Sequence, residues 1–469
     1  MRIAVVGTGI SGLSTAWLLN QKHDVTVYEK NAYIGGHSNT VDVETPDGPI
    51  PVDTGFIVYN EANYPNLTAM FRELDVKTDA SNMSFGVSIE NGDLEYSGEN
   101  LGTLFAQRKN LFRGRFRAMI WDLLRFYKAA PKLLDNPHSA RRPDGSIQTL
   151  GEYLTENRYS QAFILDHLLP MGAAIWSAPL DEMMAFPVTR FVQFFKHHGL
   201  LRLSGRPAWR TVSGGSREYV RKLAAPLHQR IKLSTPVKKI IRNEGGIVVQ
   251  DGTGQWEHFD HVVMASHSDE SLSLLSDPSP EEQSILGNIR YQPNDAYLHR
   301  DPELMPQDRK VWSAWNYMAT DRTDKDRRVA VTYWMSRLQN IAAADDLFVS
   351  LNPVQPPRED LTLRHIVYHH PMFDAAATAA QAALPTIQGL RNTWYCGAWC
   401  GYGFHEDGLV SGLAVADALG SPAPWTATGE APDGAGWRLP GFSKPQSQSP
   451  VTPTNPLPPL AIPAPAGAD

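Results

Sequence analysis

The chain has 469 residues, 42% hydrophobic and 20% charged, the makeup of a soluble globular protein large enough for two intertwined domains. Its net charge of −7 gives no overall attraction to nucleic acid, and its two cysteines, Cys396 and Cys400, are too few for a disulfide framework or a zinc site, so no metal is expected. No run approaches the roughly 18 apolar residues of a membrane-spanning helix. The first strand begins at residue 2, which leaves no room for a signal peptide, so the expected location is cytoplasmic.

Ile3 to Val6 reads as a buried parallel strand. A glycine-rich turn follows at once, Gly7-Thr8-Gly9-Ile10-Ser11-Gly12, and Leu13 to Asn20 reads as the helix behind it. In such a turn Gly7 permits the tight bend, Gly9 lets a pyrophosphate approach the backbone, and Gly12 lets helix and strand pack closely. The N–H groups around Ile10 and Ser11 then face the phosphates. Val25 to Tyr28 is the second strand and runs into Glu29-Lys30, where a carboxylate can hold a ribose hydroxyl pair. Strand, turn, helix, strand and acid in this order predict an α/β protein with a Rossmann-type dinucleotide-binding domain.

The pair Gly35-Gly36, followed by His37, resembles the extended fingerprint of glutathione-reductase-type flavoproteins in their amine-oxidase-like branch. The resemblance implies FAD rather than NAD, contacts from Gly35, Gly36 and His37, and an α+β substrate domain interleaved with the cofactor domain. Asn31 and His37 stand where that branch often has arginine. Asp53-Thr54-Gly55-Phe56 follows as the branch leads one to expect, with Gly55 letting backbone pass close to the flavin ring.

The segment Phe105 to Leu134 is locally basic. Arg108, Lys109, Arg113, Arg115, Arg117, Arg125, Lys128 and Lys132 face a single acid, Asp122, with Phe112, Phe116, Trp121 and Leu124 among the interleaved apolar residues. Two readings stand: a basic amphipathic helix lying on an anionic membrane surface, at the inner face of the membrane, or a solvated helix packed on the substrate domain. His197-His198 and His369-His370 are adjacent pairs whose rings point apart, so each is read as structural. Aromatic stripes such as Phe191, Phe194 and Phe195, and Trp312, Trp315 and Tyr317, read mostly as core.

Thr211 to Gly215 leads into a helical pattern at Tyr219, Val220 and Leu223, and Ile231 to Val237 follows. In the flavoprotein branch a residue at the Val237 position meets the adenine through its backbone. Strands are expected over 245–250 and 256–265. Near the end, Thr393 to Trp399 is a strand entering the loop Gly397 to Gly408, and a small-residue helix runs from Gly408 to Leu419. Glycines there, Gly397 included, let backbone pack on a flat ring. The helix N-terminus, at Gly408-Leu409, would stabilise negative charge on a reduced flavin. Tyr402 and His405 are the catalytic candidates. His405 either exchanges protons or only supports the loop. Glu406 and Asp407 either cap the helix or bind FAD hydroxyls. The expected cofactor domain comprises 1–60, 205–275 and 390–420, and the substrate domain 61–204 and 276–389. A disordered, Pro-rich tail is expected over 421–469.

Several further stretches carry a closer resemblance: Gly35 to Thr40, Gly55 to Asn60, Tyr64 to Asn66, Ile175 to Pro179, Gly205 to Trp209, Leu298 to Asp301, Leu304 to Pro306, Trp312 to Tyr317, Thr332 to Trp334, Leu338 to Asn340 and Gly401 to Gly408. Through them the chain resembles bacterial FAD-linked oxidoreductases associated with fatty-acid methyltransferases and cyclopropane synthases, and the flavoprotein domain fused ahead of plant cyclopropane fatty-acid synthases. The resemblance implies FAD, a lipid acyl chain as substrate and a methyltransferase partner. The expected reaction removes hydride and proton from a methylated or unsaturated chain, with electrons passing to oxygen or a partner. A flavin amine oxidase is the main rival, although Gly397-Ala398 replaces the Gly-Glu common in that motif. Carotenoid-desaturase-like chemistry and a non-catalytic accessory subunit are the others.

Overall fold

β1 (Arg2–Val6) is apolar after its first residue, and Ile3 to Val6 are buried, as a strand covered on both faces requires. α1 (Ile10–Leu19) follows, and β2 (Asp24–Tyr28) pairs with β1 in parallel. This computed structural model describes residues 1–135, 142, 146–176, 179–320 and 330–427. Along the chain come the helices α2 (Pro65–Glu73), α3 (Gly114–Ala129), α4 (Val188–His197) and α5 (Arg217–Ala224). After them come β3 (Ile231–Lys232), β4 (His261–Met264), α6 (Pro280–Gly287), α7 (Ala375–Ala383), β5 (Thr393–Tyr395) and α8 (His405–Ala418).

The five labelled strands form one parallel sheet in the order β3-β2-β1-β4-β5, so the beginning, middle and end of the chain meet there. Alternate residues of a strand face opposite sides. Ile3 and Val5 pack with Ala16 and Leu19 of α1 and Val415 of α8, whereas Ala4 and Val6 pack with Ile285 and Leu286 of α6 and Ala377 and Ala380 of α7. The fold is therefore mixed α/β around a parallel core. α6 and α7 lie in the 276–389 block yet cover this parallel sheet, because their apolar faces match its second side.

A seven-stranded, mostly antiparallel sheet forms the second layer system, in the order 362–371, 291–299, 348–351, 330–334, 315–319, 85–89, 94–97. Its core joins Val87, Tyr96, Tyr317 and Val331 to Phe116 and Phe126 of α3 and Phe191, Phe194 and Phe195 of α4. A small sheet pairs Trp209–Val212 with residues 59–60 and 78–81, so the backbone ladder crosses the boundary expected at residue 60.

The basic segment is not one helix. A 3-10 turn (Arg108–Leu111) precedes α3 and another (Ala130–Leu134) follows it. Its cations also meet more than Asp122. Arg113 grips Asp93 at 2.7 and 3.0 Å, Arg115 grips the buried Asp166 at 2.7 and 3.0 Å, and Arg125 pairs with Asp122. The expected tail starts later than residue 421: Ala423 is buried and Trp425 donates to Asn66 Oδ1 at 3.2 Å. Residues 428–469 of that tail, and Ser177 and Ala178, lie outside the described residues. Among the described residues no helix is long and apolar enough to cross a membrane.

Candidate active site

The first glycine turn is shaped by close approach. A Cβ on Gly12 would lie 2.0 Å from the Gly7 carbonyl oxygen, so only glycine lets α1 start this near the strand. Gly7 itself has φ +107°, and its Cβ would meet the Ala265 oxygen at 2.8 Å. Gly9 differs: its φ is an ordinary −64°, and a Cβ there would meet nothing within 4 Å. Gly9 borders open space.

α8 runs alongside α1 in the same direction. A Cβ on Gly408 would come within 2.9 Å of Ile10 Cγ2, and one on Gly412 within 2.6 Å of the Ser11 oxygen. The two N-termini therefore sit side by side beside Gly9. Each presents backbone N–H groups without helical partners and the positive end of a helix dipole. Such a pair suits an anion, and a diphosphate in particular.

Glu29 ends β2 and is buried. It accepts the Asn31 N–H at 2.8 Å, the Thr8 N–H at 3.1 Å and the Thr8 hydroxyl, which fixes its carboxylate beside the turn. Lys30 is exposed and pairs with Glu270 at 2.5 Å. Val237 is buried and opens a strand, opposite Asp251.

Gly35-Gly36 folds back over the first turn. Gly36, with φ +59°, would put a Cβ 3.1 Å from Gly9 Cα, and the Gly35 N–H donates to the Thr8 oxygen at 3.1 Å. The His37 carbonyl then accepts the Phe56 N–H at 2.8 Å, and a Cβ on Gly55 would lie 2.2 Å from that oxygen. The His37 ring stacks on Tyr368 at 4.8 Å and lies 5.4 Å from His370. Burial, reinforced by His370 and other nearby histidines, holds His37 well below the usual range, so it is neutral. Its Nε2 is buried without a hydrogen-bond partner among the described residues. A buried polar atom left so is costly and marks a place for a polar ligand group. Open space at Gly9, paired helix N-termini, a fixed carboxylate at the end of β2 and this unpartnered nitrogen together fit FAD.

His405 begins α8. Its ring lies flat on Phe56, 3.8 Å between centroids, and Nε2 is hydrogen-bonded to the Tyr219 hydroxyl at 2.7 Å and the Ser38 hydroxyl at 3.0 Å. Burial pushes its pKa down to about 3, so the ring stays neutral near pH 7. That arrangement matches the supporting role rather than proton exchange. Glu406 uses both oxygens on α2: Oε1 accepts the Asn66 N–H and side-chain amide at 2.8 Å each, and Oε2 accepts the Leu67 N–H at 2.9 Å. Asp407 accepts the Phe404 N–H at 2.9 Å and caps α8. Burial pushes both carboxyls up to about 7. Asp53 is pushed up to about 6 by burial, although Thr40, Ser216 and Gln339 all donate to it. Gly397 donates its N–H to Ser411 Oγ at 2.9 Å, and Leu409 is buried in α8.

Tyr402 and Phe404 join an aromatic wall. Phe404 stacks on Phe194 at 5.0 Å, Tyr402 lies 5.9 Å from Phe194, and His198 stacks on Phe194 at 3.8 Å and faces Trp209 at 6.4 Å. Half-buried Trp315 and Tyr333, perpendicular at 4.8 Å, pack against the same core. Sequence reasoning missed Tyr368, His370, Tyr219 and His198 as site residues. One signal was available: Tyr368 and His370 are two apart on a strand and share a face.

The model of the flavin-containing amine oxidoreductase family matches residues 10–303, more than half of the chain. No curated protein matches it. Among solved structures, a CLA-producing fatty acid isomerase from P. acnes is similar with TM-score 0.64 and 15% identity, over 89% of this chain and 98% of that one. Cyclohexylamine oxidase from Brevibacterium oxydans IH-35A is similar with TM-score 0.63 and 15% identity, over 89% and 99%. Wild-type putrescine oxidase bound to putrescine gives TM-score 0.62 and 13% identity, over 89% and 99%. At these identities the likeness is one of fold.

Proposed function

This chain belongs to the flavin-containing amine oxidoreductase family and is an FAD-dependent oxidoreductase, and we propose that it oxidises a lipid acyl chain, methylated or unsaturated, carried in a phospholipid. The observation that supports an apolar substrate is the wall beside the α8 N-terminus. It is built from Phe194, His198, Tyr402 and Phe404, and the two carboxylates next to it are buried and turned away, Glu406 to α2 and Asp407 to the loop backbone. Neither carboxylate is presented to an ammonium group. Resemblance to the fatty-acid-methyltransferase-associated flavoproteins supports the same substrate class.

Bound FAD supplies a two-electron acceptor whose electrons pass to oxygen or to a partner. The protein's part is binding and orientation. Gly7 to Gly12, Glu29, Gly35 to His37, Gly55-Phe56, Gly397 and Gly408-Leu409 would hold the cofactor. The N-terminal turn of α8 favours negative charge beside it. The stacked pair Phe56 and His405, tied to Tyr219 and Ser38, keeps that turn in place.

The test is an anaerobic flavin spectrum before and after adding phospholipids with methylated or cis-unsaturated chains. Bleaching of the flavin band by lipid is the expected result. Bleaching by an amine and not by lipid would move the substrate to amines. A flavin unresponsive to both, in a protein that binds a methyltransferase tightly, would make it an accessory subunit.

A further inference from the structure

We propose that the exposed side of α3, with the loop that follows α4, is a docking surface for an anionic phospholipid bilayer. The proposal deepens the acyl-chain reading and rests on it for its purpose, delivery of a membrane-held substrate.

α3 has two unlike sides. Phe116, Met119 and Phe126 enter the core with the buried Asp122. Arg117, Trp121, Leu124 and Lys128 recur at spacings of four, three and four and make one exposed stripe. Trp121 is 72% exposed and Leu124 45%, and in the turn before the helix Leu111 is 45% and Phe112 83% exposed. Exposure of two large aromatics and two leucines on one short segment is unusual for a surface that faces only water.

The charges on this segment separate into two groups. Lys109 and Arg113 share Asp93, Arg115 is held by Asp166 and Arg125 by Asp122, and these four belong to the fold. Arg108, Arg117, Lys128 and Lys132 are exposed and have no ion pair among the described residues. Arg117 and Lys128 bracket Trp121 and Leu124, which places cations at both ends of the apolar stripe. The loop after α4 adds Leu203, 70% exposed, between Arg202 and Arg206. Leu201 of that loop is buried in the core that holds Phe116 and Phe126 of α3, and α4 packs against the turn that follows α3, so the loop lies beside the helix. The same loop leaves from His198 and returns at Trp209, both in the aromatic wall. The exposed patch and the proposed substrate wall are thus joined by one short stretch of chain.

On a chain of net charge −7 this cationic face is local. A local cationic rim around exposed aromatics complements anionic headgroups over an acyl interior. Of the cations that the sequence groups on this segment, Arg113 and Arg115 are held within the fold, while Arg117 and Lys128 face outward.

The test is co-sedimentation of the FAD-loaded protein with vesicles of phosphatidylcholine alone and of phosphatidylcholine mixed with phosphatidylglycerol. The wild type should bind the anionic vesicles more tightly, and salt should weaken that binding. The double variant Phe112→Ser/Trp121→Ser, which removes side chains outside the core, should bind at least about tenfold more weakly. Arg117→Glu/Lys128→Glu should erase the preference for phosphatidylglycerol. Wild type that stays in the supernatant, or a Phe112→Ser/Trp121→Ser variant that binds as the wild type does, overturns the proposal. So does a wild type that forms dimers broken by the double variant and ignores vesicles, since the patch is then a protein interface. Flavin bleaching by micellar lipid is read on both proteins. Bleaching in both, with vesicle binding lost only in the variant, supports docking. Bleaching in neither, with wild-type vesicle binding intact, sinks the acyl-chain oxidation and leaves the docking surface standing.

Discussion

Replacing Gly9 with alanine separates cofactor binding from folding. At φ −64° and ψ 177° an alanine is unstrained, and its Cβ would meet no protein atom within 4 Å. Reduced freedom of the unfolded chain stabilises by about 0.4–1 kcal/mol. Losing glycine at the N-cap of α1 costs a similar amount, roughly 0.5–1 kcal/mol. The two offset, and the melting temperature of the apoprotein should move by no more than about 2 °C. The methyl group does occupy the space the diphosphate needs. Overpacking costs about 1–3 kcal/mol, which is about 5- to 150-fold in affinity. The assay is titration of apoprotein with FAD by fluorescence quenching, beside thermal melts without cofactor. Gly412→Ala is the contrast: its Cβ would sit 2.6 Å from the Ser11 backbone oxygen, so α8 must move off α1 and both folding and binding suffer. Wild-type FAD affinity in Gly9→Ala would refute the placement of the diphosphate over this glycine.

Other expectations follow from buried charges and partners. Glu406 has a folded pKa of about 7 against an ordinary 4.5, so the folded chain holds a proton that the unfolded chain releases. That stabilisation is complete below about pH 4.5 and is lost as pH rises through about 7, so Glu406→Gln should flatten the fall in stability across this window, read by denaturant melts at several pH values. Arg115→Met takes the guanidinium partner from the buried Asp166 and should cost up to about 3 kcal/mol, whereas Arg113→Met at the more exposed Asp93 should cost no more than about 1 kcal/mol; equal losses in melting would contradict the assignment of these pairs. His405→Gln should leave the shape of the pH profile of flavin reduction unchanged between about pH 5 and 8, because a ring with pKa about 3 does not titrate there. Disappearance of a limb near neutrality would restore His405 as a proton carrier.

Much of this molecule is legible from its sequence because it depends on local geometry. β1, α1 and β2 lie at 2–6, 10–19 and 24–28, within a few residues of where periodicity and glycine spacing put them, and α8 lies at 405–418. A glycine turn between strand and helix needs only its own residues, and so does a period-two or period-3.6 apolar pattern. What the sequence left open depends on elements far apart in the chain. Asp93 and Asp166 neutralise Arg113 and Arg115 across 20 and 51 residues, so a charge count along the segment overstated its free positive charge. In sequence α6 and α7 lie beside strands of the seven-stranded sheet, yet they cover the second face of the parallel sheet. His37 becomes a buried, neutral ring only when Tyr368 and His370 close over it, and Glu406, read as a helix cap or a ligand of FAD hydroxyls, meets the free N–H groups of α2, a helix about 340 residues earlier in the chain. Propensity and spacing act within a few residues. Burial, and the partners that set charge and protonation, come from whichever surfaces the packed layers bring together.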